Sequence, residues 1–272
     1  MRPGPSVVKA PIAARVTMLG TGTSHGVPMI GCHCATCRST DVRDHRLRPS
    51  IYIEVFERVR ILVDTATDLR QQALAHDIAQ VDAVLFTHAH ADHILGLDDL
   101  RSFNRLQGAA IPCYANDETW THIRRQFSYI FDGPLQLGGG VPQITANEVQ
   151  DAFFVRGVKI IPVPLWHGKL PILGFRFGNF AYLTDCNKIP EESLRLVEGV
   201  DILVLDALRD EPHETHFTIG EAVAMAQTIA AQQTYFTHMA HDLPHAKTNA
   251  RLPEGVQLAY DGLVFDIEVE IA

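Results

Sequence analysis

The chain has 272 residues, 46% hydrophobic and 20% charged, a balance that suits a folded globular protein and excludes a disordered or fibrous one. Its formal charge of -9 at pH 7 argues against a broad electrostatic grip on nucleic acid, because phosphate backbones are held mainly by lysine and arginine. That argument weakens wherever aspartates are metal ligands, since bound divalent cations reverse the local sign.

Residues 1–14, MRPGPSVVKAPIAA, lack the apolar core of a signal peptide and are expected to form a flexible N-terminus. No apolar run approaches the roughly 20 residues that a membrane helix needs, so the expectation is a cytoplasmic protein with no membrane partner. Strand-like runs follow at residues 16–19, 51–56, 61–63 and 81–86, with helical apolar spacing at 68–78. After a helix-like stretch at 94–103 comes a longer helical pattern at 117–130, then a loop at Gly138-Gly139-Gly140. The second half carries strand-like runs at 159–163, 181–183, 202–205 and 234–236, and helical patterns at 191–197 and 219–231. With no linker, repeat or low-complexity tract, one domain is expected over residues 1–272. Two β-rich halves, each closing on a helix, predict an α+β arrangement in which packed sheets are covered outside by helices.

The residues that carry chemistry begin early. Gly20-Thr21-Gly22-Thr23-Ser24 lacks the Lys-Ser/Thr ending of a phosphate-binding P-loop and reads as a structural turn. Of five cysteines, three crowd into Cys32-His33-Cys34-Ala35-Thr36-Cys37, too tight for an ordinary disulfide framework. Three thiolates need a fourth ligand to make a closed tetrahedral zinc site. A redox or simply buried cluster is the competing reading. Cys113 and Cys186 have no motif around them and are expected in the core.

The densest cluster follows the run 81–86 as Thr87-His88-Ala89-His90-Ala91-Asp92-His93. A lone histidine at a strand end is usually structural, but four ligand-type residues within six positions are improbable by chance. Alternation along extended chain points His88 and His90 to one side, whereas Asp92 and His93 reach another as the chain turns into a helix. Imidazole with carboxylate suits borderline ions such as zinc, manganese or iron. His167, Asp185 and His238 repeat the layout of a strand run ending on a ligand. Each alone also reads as a buried polar group or turn residue; jointly they complete a site.

The run His88-Ala89-His90-Ala91-Asp92-His93 resembles the His-x-His-x-Asp-His signature of the metallo-β-lactamase superfamily. The resemblance implies a four-layer αββα sandwich. It also implies His88, His90 and His167 on one divalent ion, Asp92, His93 and His238 on a second, and Asp185 bridging them. Further segments narrow it: Leu19-Gly20-Thr21-Gly22-Thr23, the cysteine run, Leu165-Trp166-His167-Gly168-Lys169 and Ala181-Tyr182-Leu183-Thr184-Asp185. From about Val16 to Gly262 their order is similar to the PhnP-type cyclic phosphodiesterases of the carbon-phosphorus lyase pathway. That likeness implies His241 as the fourth ligand of a structural zinc with Cys32, Cys34 and Cys37, and His216 as a histidine assisting proton transfer. His241 lies three residues after His238, so a turn there would tie the two sites together. His213 is expected to face solvent, and Asp206 to orient His88 or another ligand.

These readings predict a metal-dependent phosphodiesterase acting on small cyclic phosphodiesters or nucleotides through a hydroxide activated by two manganese or zinc ions. Asp92 serves at the metals, His216 protonates the leaving alkoxide, and one further zinc is structural. Two alternatives stand. RNA processing of the tRNase Z kind expects a basic exosite arm, which the acidic sequence disfavours along with nucleic acid as a partner; a non-catalytic module would bind a nucleotide through its metals. A homodimer is left open.

Overall fold

Period-two patterning sorts the strands into two sheets. The computed structural model describes residues 11–132 and 140–272. The first sheet takes β1 (Ile12–Gly20), β2 (Ser50–Val55), β3 (Val59–Val63), β4 (Ala83–Leu85), β5 (Ile111–Ala115) and β6 (Ile144–Glu148). The second takes β7 (Phe153–Val155), β8 (Val158–His167), β9 (Leu170–Phe177), β10 (Phe180–Leu183), β11 (Ile202–Asp206), β12 (Gln233–Thr237) and β13 (Val256–Leu258). The last strand, β14 (Val264–Val269), returns to the first sheet beside β1. The orders are β14-β1-β2-β3-β4-β5-β6 and β13-β12-β11-β10-β9-β8-β7.

Helices α1 (Leu69–Ala75), α2 (Ala91–Ile94), α3 (Leu100–Gln107), α4 (Asp117–Gln126) and α5 (Ser128–Phe131) belong to the first half. Helices α6 (Glu191–Leu196), α7 (Ile219–Ile229) and α8 (His245–Asn249) belong to the second. On β3 and β4, Ile61, Val63, Ala83 and Leu85 share an inter-sheet core with Phe175, Phe177 and Tyr182. The alternate residues Leu62 and Val84 join Leu69, Leu100 and Trp120 on the outer face, under the helices. β11 divides likewise, with Val204 turned inward and Leu203 and Leu205 outward onto Ala222 and Ala226 of α7. Helix, sheet, sheet, helix is the expected αββα sandwich. Among the described residues no helix is long and apolar enough to cross a membrane.

Several expected boundaries are corrected. The flexible N-terminus expected over residues 1–14 is strand from Ile12, because Ile12, Ala13 and Ala14 pair with Val269, Glu268 and Ile267 at the far end of the sequence; residues 1–10 lie outside the described set. Gly138 and Gly139 also lie outside it. The helix expected over 94–103 is three pieces: α2, a 3-10 turn at Leu95–Asp99, and α3. Gly96 sets the break, since a Cβ there would stand 2.2 Å from the Ala66 carbonyl oxygen, while its amide donates to Thr65. The pattern over 117–130 breaks at Phe127 into α4 and α5. The turn at Gly20-Thr21-Gly22 is structural, for a Cβ on Gly20 would meet the Arg48 carbonyl oxygen at 1.9 Å.

Strand direction positions the site. β10, β11 and β12 run parallel, and β9 is antiparallel to both β8 and β10, so β8, β10, β11 and β12 all end at one edge. β3 and β4 are parallel in the other sheet. At or just past these ends stand His167, Asp185, Asp206, His238, Asp64 and His88.

Candidate metal centre

Past the end of β4 the chain reaches His90 outside any helix, with His90 itself extended at φ -69° and ψ 155°, before α2 opens at Ala91. His88 and His90 thus project from chain ahead of the helix, and Asp92 and His93 from a helical turn. His167 closes β8 beside them, and the ligand atoms of His88, His90 and His167 lie within 4.8 Å of one another. Asp92, His93, Asp185 and His238 converge equally closely, and all four are buried. Asp185 spans the two groups: its Oδ1 is 3.0 Å from His238 Nε2, and its Oδ2 is 3.2 Å from His93 Nε2 and 3.7 Å from His88 Nε2. Asp92 Oδ2 lies 3.5 Å from His93 Nε2 and 3.4 Å from His238 Nε2.

Atoms that the protein leaves unsatisfied test the fit to cations. Nε2 of His88 and Nε2 of His93 are buried with no hydrogen-bond partner among the described residues, a costly state unless something else binds there. Both face Asp185 Oδ2, and a cation among them satisfies nitrogen lone pairs and carboxylate charge together. Burial lowers His88, His90 and His167, the last to about 4, which keeps these rings in the neutral, ligating form. Burial also opposes charge on His93 and His238. Asp185 and Asp92 outweigh it, holding His93 well above the ordinary imidazole value and lifting His238 to about 10. The same pairs hold Asp92 and Asp185 far down against their own burial. Positive charge is demanded where these donors meet, and the residues fit two divalent ions.

Three of the imidazoles, those of His93, His88 and His167, are steered from behind. His93 Nδ1 is 2.7 Å from Asp64 Oδ2, and Asp64 also accepts from the Thr87 amide and hydroxyl, each at 2.8 Å. His88 Nδ1 meets Thr87 Oγ1 at 3.0 Å, and His167 Nδ1 meets the Thr215 carbonyl at 3.0 Å. Asp206 does not reach His88, which hangs from the other sheet. It accepts from His216 Nδ1 at 3.0 Å and the Phe217 amide at 3.0 Å, and stands 3.8 Å from His238 Nδ1. Asp64 was not expected from the sequence, although Val63-Asp64 at the end of β3 has the layout that marked Asp185.

His216 is buried, with ring centroids 4.7 Å from both His167 and His238. Its Nδ1 is taken by Asp206, and a ring nitrogen lies within 4.8 Å of donor atoms of His167 and Asp185. His213 is exposed, as expected, its Nδ1 against the Thr215 amide and hydroxyl.

Cys32, Cys34, Cys37 and His241 form a separate group of ligand atoms within 4.8 Å. His241 Nδ1 is 3.5 Å from Cys32 Sγ and 3.3 Å from Cys34 Sγ. The hydrogen bond from His241 and the Cys37 amide lower the Cys34 thiol to about 6, whereas burial pushes Cys37 up to about 11. Three sulfurs and one imidazole are the donor set of a closed zinc site. Cys113 and Cys186 are buried.

Residues 59–239 match the family described as a beta-lactamase superfamily domain. A crystal structure described as a new diphosphatase from the PhnP family superposes with a TM-score of 0.90 at 46% sequence identity, covering 96% of this chain and 100% of that one. The octanoyltransferase of Porphyromonas gingivalis (strain ATCC BAA-308 / W83) is 38% identical over 254 residues, 92% of this chain. The match takes in 51% of that protein, so this chain spans about half the length of its curated relative. Zn(2+)-bound PqqB from Methylobacterium extorquens superposes with a TM-score of 0.72 at 22% identity, covering 93% of this chain and 100% of that one, a likeness of fold alone.

Proposed function

This chain belongs to the metallo-β-lactamase superfamily and, within it, to the PhnP family of hydrolases, and we propose that it is a phosphodiesterase acting on small phosphodiesters, cyclic or linear, nucleotides among them. Asp185 carries this reading: its Oδ2 lies between His88 of one donor group and His93 of the other, and its Oδ1 faces His238, so this one carboxylate would serve both ions. When bound, a pair of divalent ions supplies an activated water and neutralises charge building on phosphate oxygens. His88, His90 and His167 would hold one ion, Asp92, His93 and His238 the other. Asp206 fixes Nδ1 of His216 and leaves the opposite nitrogen to deliver a proton to the departing alkoxide. The net charge of -9 supports a small substrate over a long nucleic acid. Acyl transfer, in the name of the Porphyromonas gingivalis relative, is not carried over to this chain, which matches only 51% of that protein.

A diphosphate bond is the second reading, supported by the diphosphatase of the PhnP family at 46% identity. A departing phosphate needs less help from His216 than an alkoxide does. Turnover of bis(4-nitrophenyl) phosphate and of cyclic nucleotides, against ADP, by manganese- and zinc-loaded protein separates the two. Diester turnover is expected, and Asp185→Asn should abolish it while losing the catalytic ions and keeping one zinc. Turnover of ADP alone would install the second reading, and saturable nucleotide binding without turnover would make the protein a binding module.

A further inference from the structure

We propose that Asn187 is a positioning residue, tying the turn after His167 to the loop that carries His216 and so holding the proton donor against the metal centre. The inference rests on the phosphodiesterase reading and goes beyond it, since Asn187 belongs to none of the donor groups there.

Asn187 stands two residues past Asp185 and is half-buried. Its backbone amide donates to the Trp166 carbonyl at 3.0 Å, and the Trp166 amide donates to the Lys188 carbonyl at 3.0 Å, so its place is set against the end of β8. From there the side chain makes two hydrogen bonds of opposite sense: Oδ1 accepts from the Gly168 amide at 2.9 Å, and Nδ2 donates to the Glu214 carbonyl at 2.7 Å. One partner can only donate and the other only accept, so together they fix the orientation of the amide, and a carboxylate could make only the first bond. The two loops it joins are already in contact, for Gly168 has φ of 62° and a Cβ on it would stand 2.8 Å from Thr215 Cγ2.

The loop so held serves a ligand and the proton donor in turn. Thr215 offers its carbonyl to His167 Nδ1 at 3.0 Å, and the next residue is His216, whose ring centroid is 4.7 Å from that of His167. Downstream the loop is anchored, since the Phe217 amide donates to the Cys186 carbonyl at 3.1 Å and to Asp206 at 3.0 Å. Asp206 holds one nitrogen of His216, but a ring held at one nitrogen still pivots about that bond. Where the opposite nitrogen stands depends on how the chain enters from Glu214, and Asn187 fixes that entry. A bond that merely stiffened the loop would not favour one leaving group over another, whereas one that places a proton donor must.

The test compares leaving groups in the metal-loaded protein: 2′,3′-cyclic AMP releases an alkoxide and bis(4-nitrophenyl) phosphate a nitrophenolate. Misplacement by about 1 Å can cost on the order of 10²-fold, so Asn187→Ala and Asn187→Asp should keep their ions and lose about 10- to 100-fold in kcat on the cyclic nucleotide, with little change on the nitrophenyl diester. Asn187→Asp retains the bond to Gly168 and isolates the one to Glu214. Placed on His216→Ala, either change should cost nothing further, because both then act on a group already removed. An unchanged kcat, equal losses on the two diesters, a loss of bound ions, or a loss that recurs in the His216→Ala background overturns the proposal. Turnover of bis(4-nitrophenyl) phosphate by the unaltered protein tests the phosphodiesterase reading separately. If the unaltered protein leaves either diester uncut, NMR of the zinc-loaded, histidine-labelled protein still decides: the His216 ring signals, assigned by their absence in His216→Ala, should shift in Asn187→Ala, and unmoved signals overturn the role.

Discussion

Asp64, Asp185 and His238 hold φ of 63°, 55° and 61°, a left-handed backbone that non-glycine residues rarely adopt and that costs on the order of 1–3 kcal/mol each. Asp64 and His238 come immediately after a strand and Asp185 one residue later, and the turn swings a carboxylate or imidazole toward the centre instead of onward along the sheet. His216 reaches the same centre without such strain, because Asp206 grips its Nδ1 and the neighbouring Phe217 amide together. That difference separates a ligand from a proton donor when the ring is removed. His216→Ala should keep near-normal metal content and lose on the order of 10²–10⁴ in rate on alkyl diesters. The loss should be much smaller on nitrophenyl diesters, whose leaving group needs no proton. Equal losses on an alkyl and a nitrophenyl diester would refute the proton-donor role.

Elements carry those residues only as well as their joints allow. At Gly96 the turn between α2 and α3 passes so close to Ala66 that an added Cβ would stand 2.2 Å from its carbonyl oxygen and 2.8 Å from the Leu69 Cβ. Gly96→Ala should therefore cost about 1–3 kcal/mol, read as a lower urea midpoint; an unchanged midpoint would show that the turn yields freely. That joint was not legible in the sequence, because apolar spacing runs through 94–103 and the opposing carbonyl comes from a distant loop. The same limit hid the pairing of Ile12–Ala14 with β14, which joins opposite ends of the chain, and the break of α4 at Phe127. Strand ends were legible for the opposite reason. A run of alternating apolar residues closing on His or Asp is a local pattern, and it located His88, His167, Asp185 and His238 correctly at the edge where the parallel strands finish. Asp64 has that pattern too and was passed over, and Asp206, expected behind His88 or another ligand, holds His216 and stands 3.8 Å from His238 Nδ1, since sequence order does not tell which strand ends face each other.

Across the whole molecule, one loop joins the two groups of side chains that could hold metal ions. Between β12 and α8 it sends His238 to the buried carboxylates and His241 to the cysteines, and the buried Arg46 donates to the Ala240 and Leu243 carbonyls on either side of His241. Losing a zinc ligand here should cost folding before chemistry: Cys34→Ser should lower the melting temperature and release about one zinc per chain. Unchanged stability and metal content would make the cluster a redox pair or ordinary core. Asp261 fastens the same region from the C-terminal side, accepting from the Leu47 amide at 2.6 Å and Thr21 Oγ1 at 2.7 Å. Burial pushes its carboxyl from 3.8 up to about 7, against the pull of those donors and of Arg46. The folded pKa is thus above the unfolded one, so between about pH 4 and pH 7 the native state binds more protons than the unfolded chain. Its contribution is fully present below about pH 4 and is lost as pH rises through about 7. Asp261→Asn removes the titration while keeping a neutral side chain of the same shape. Wild-type stability minus that of the variant, from urea midpoints at pH 5, 6, 7 and 8, should then fall with rising pH by on the order of a few kcal/mol. The titrating metal ligands are common to both proteins and cancel in the difference. A difference that stayed flat or grew with pH would mean that Asp261 is ionised in the native protein throughout the range.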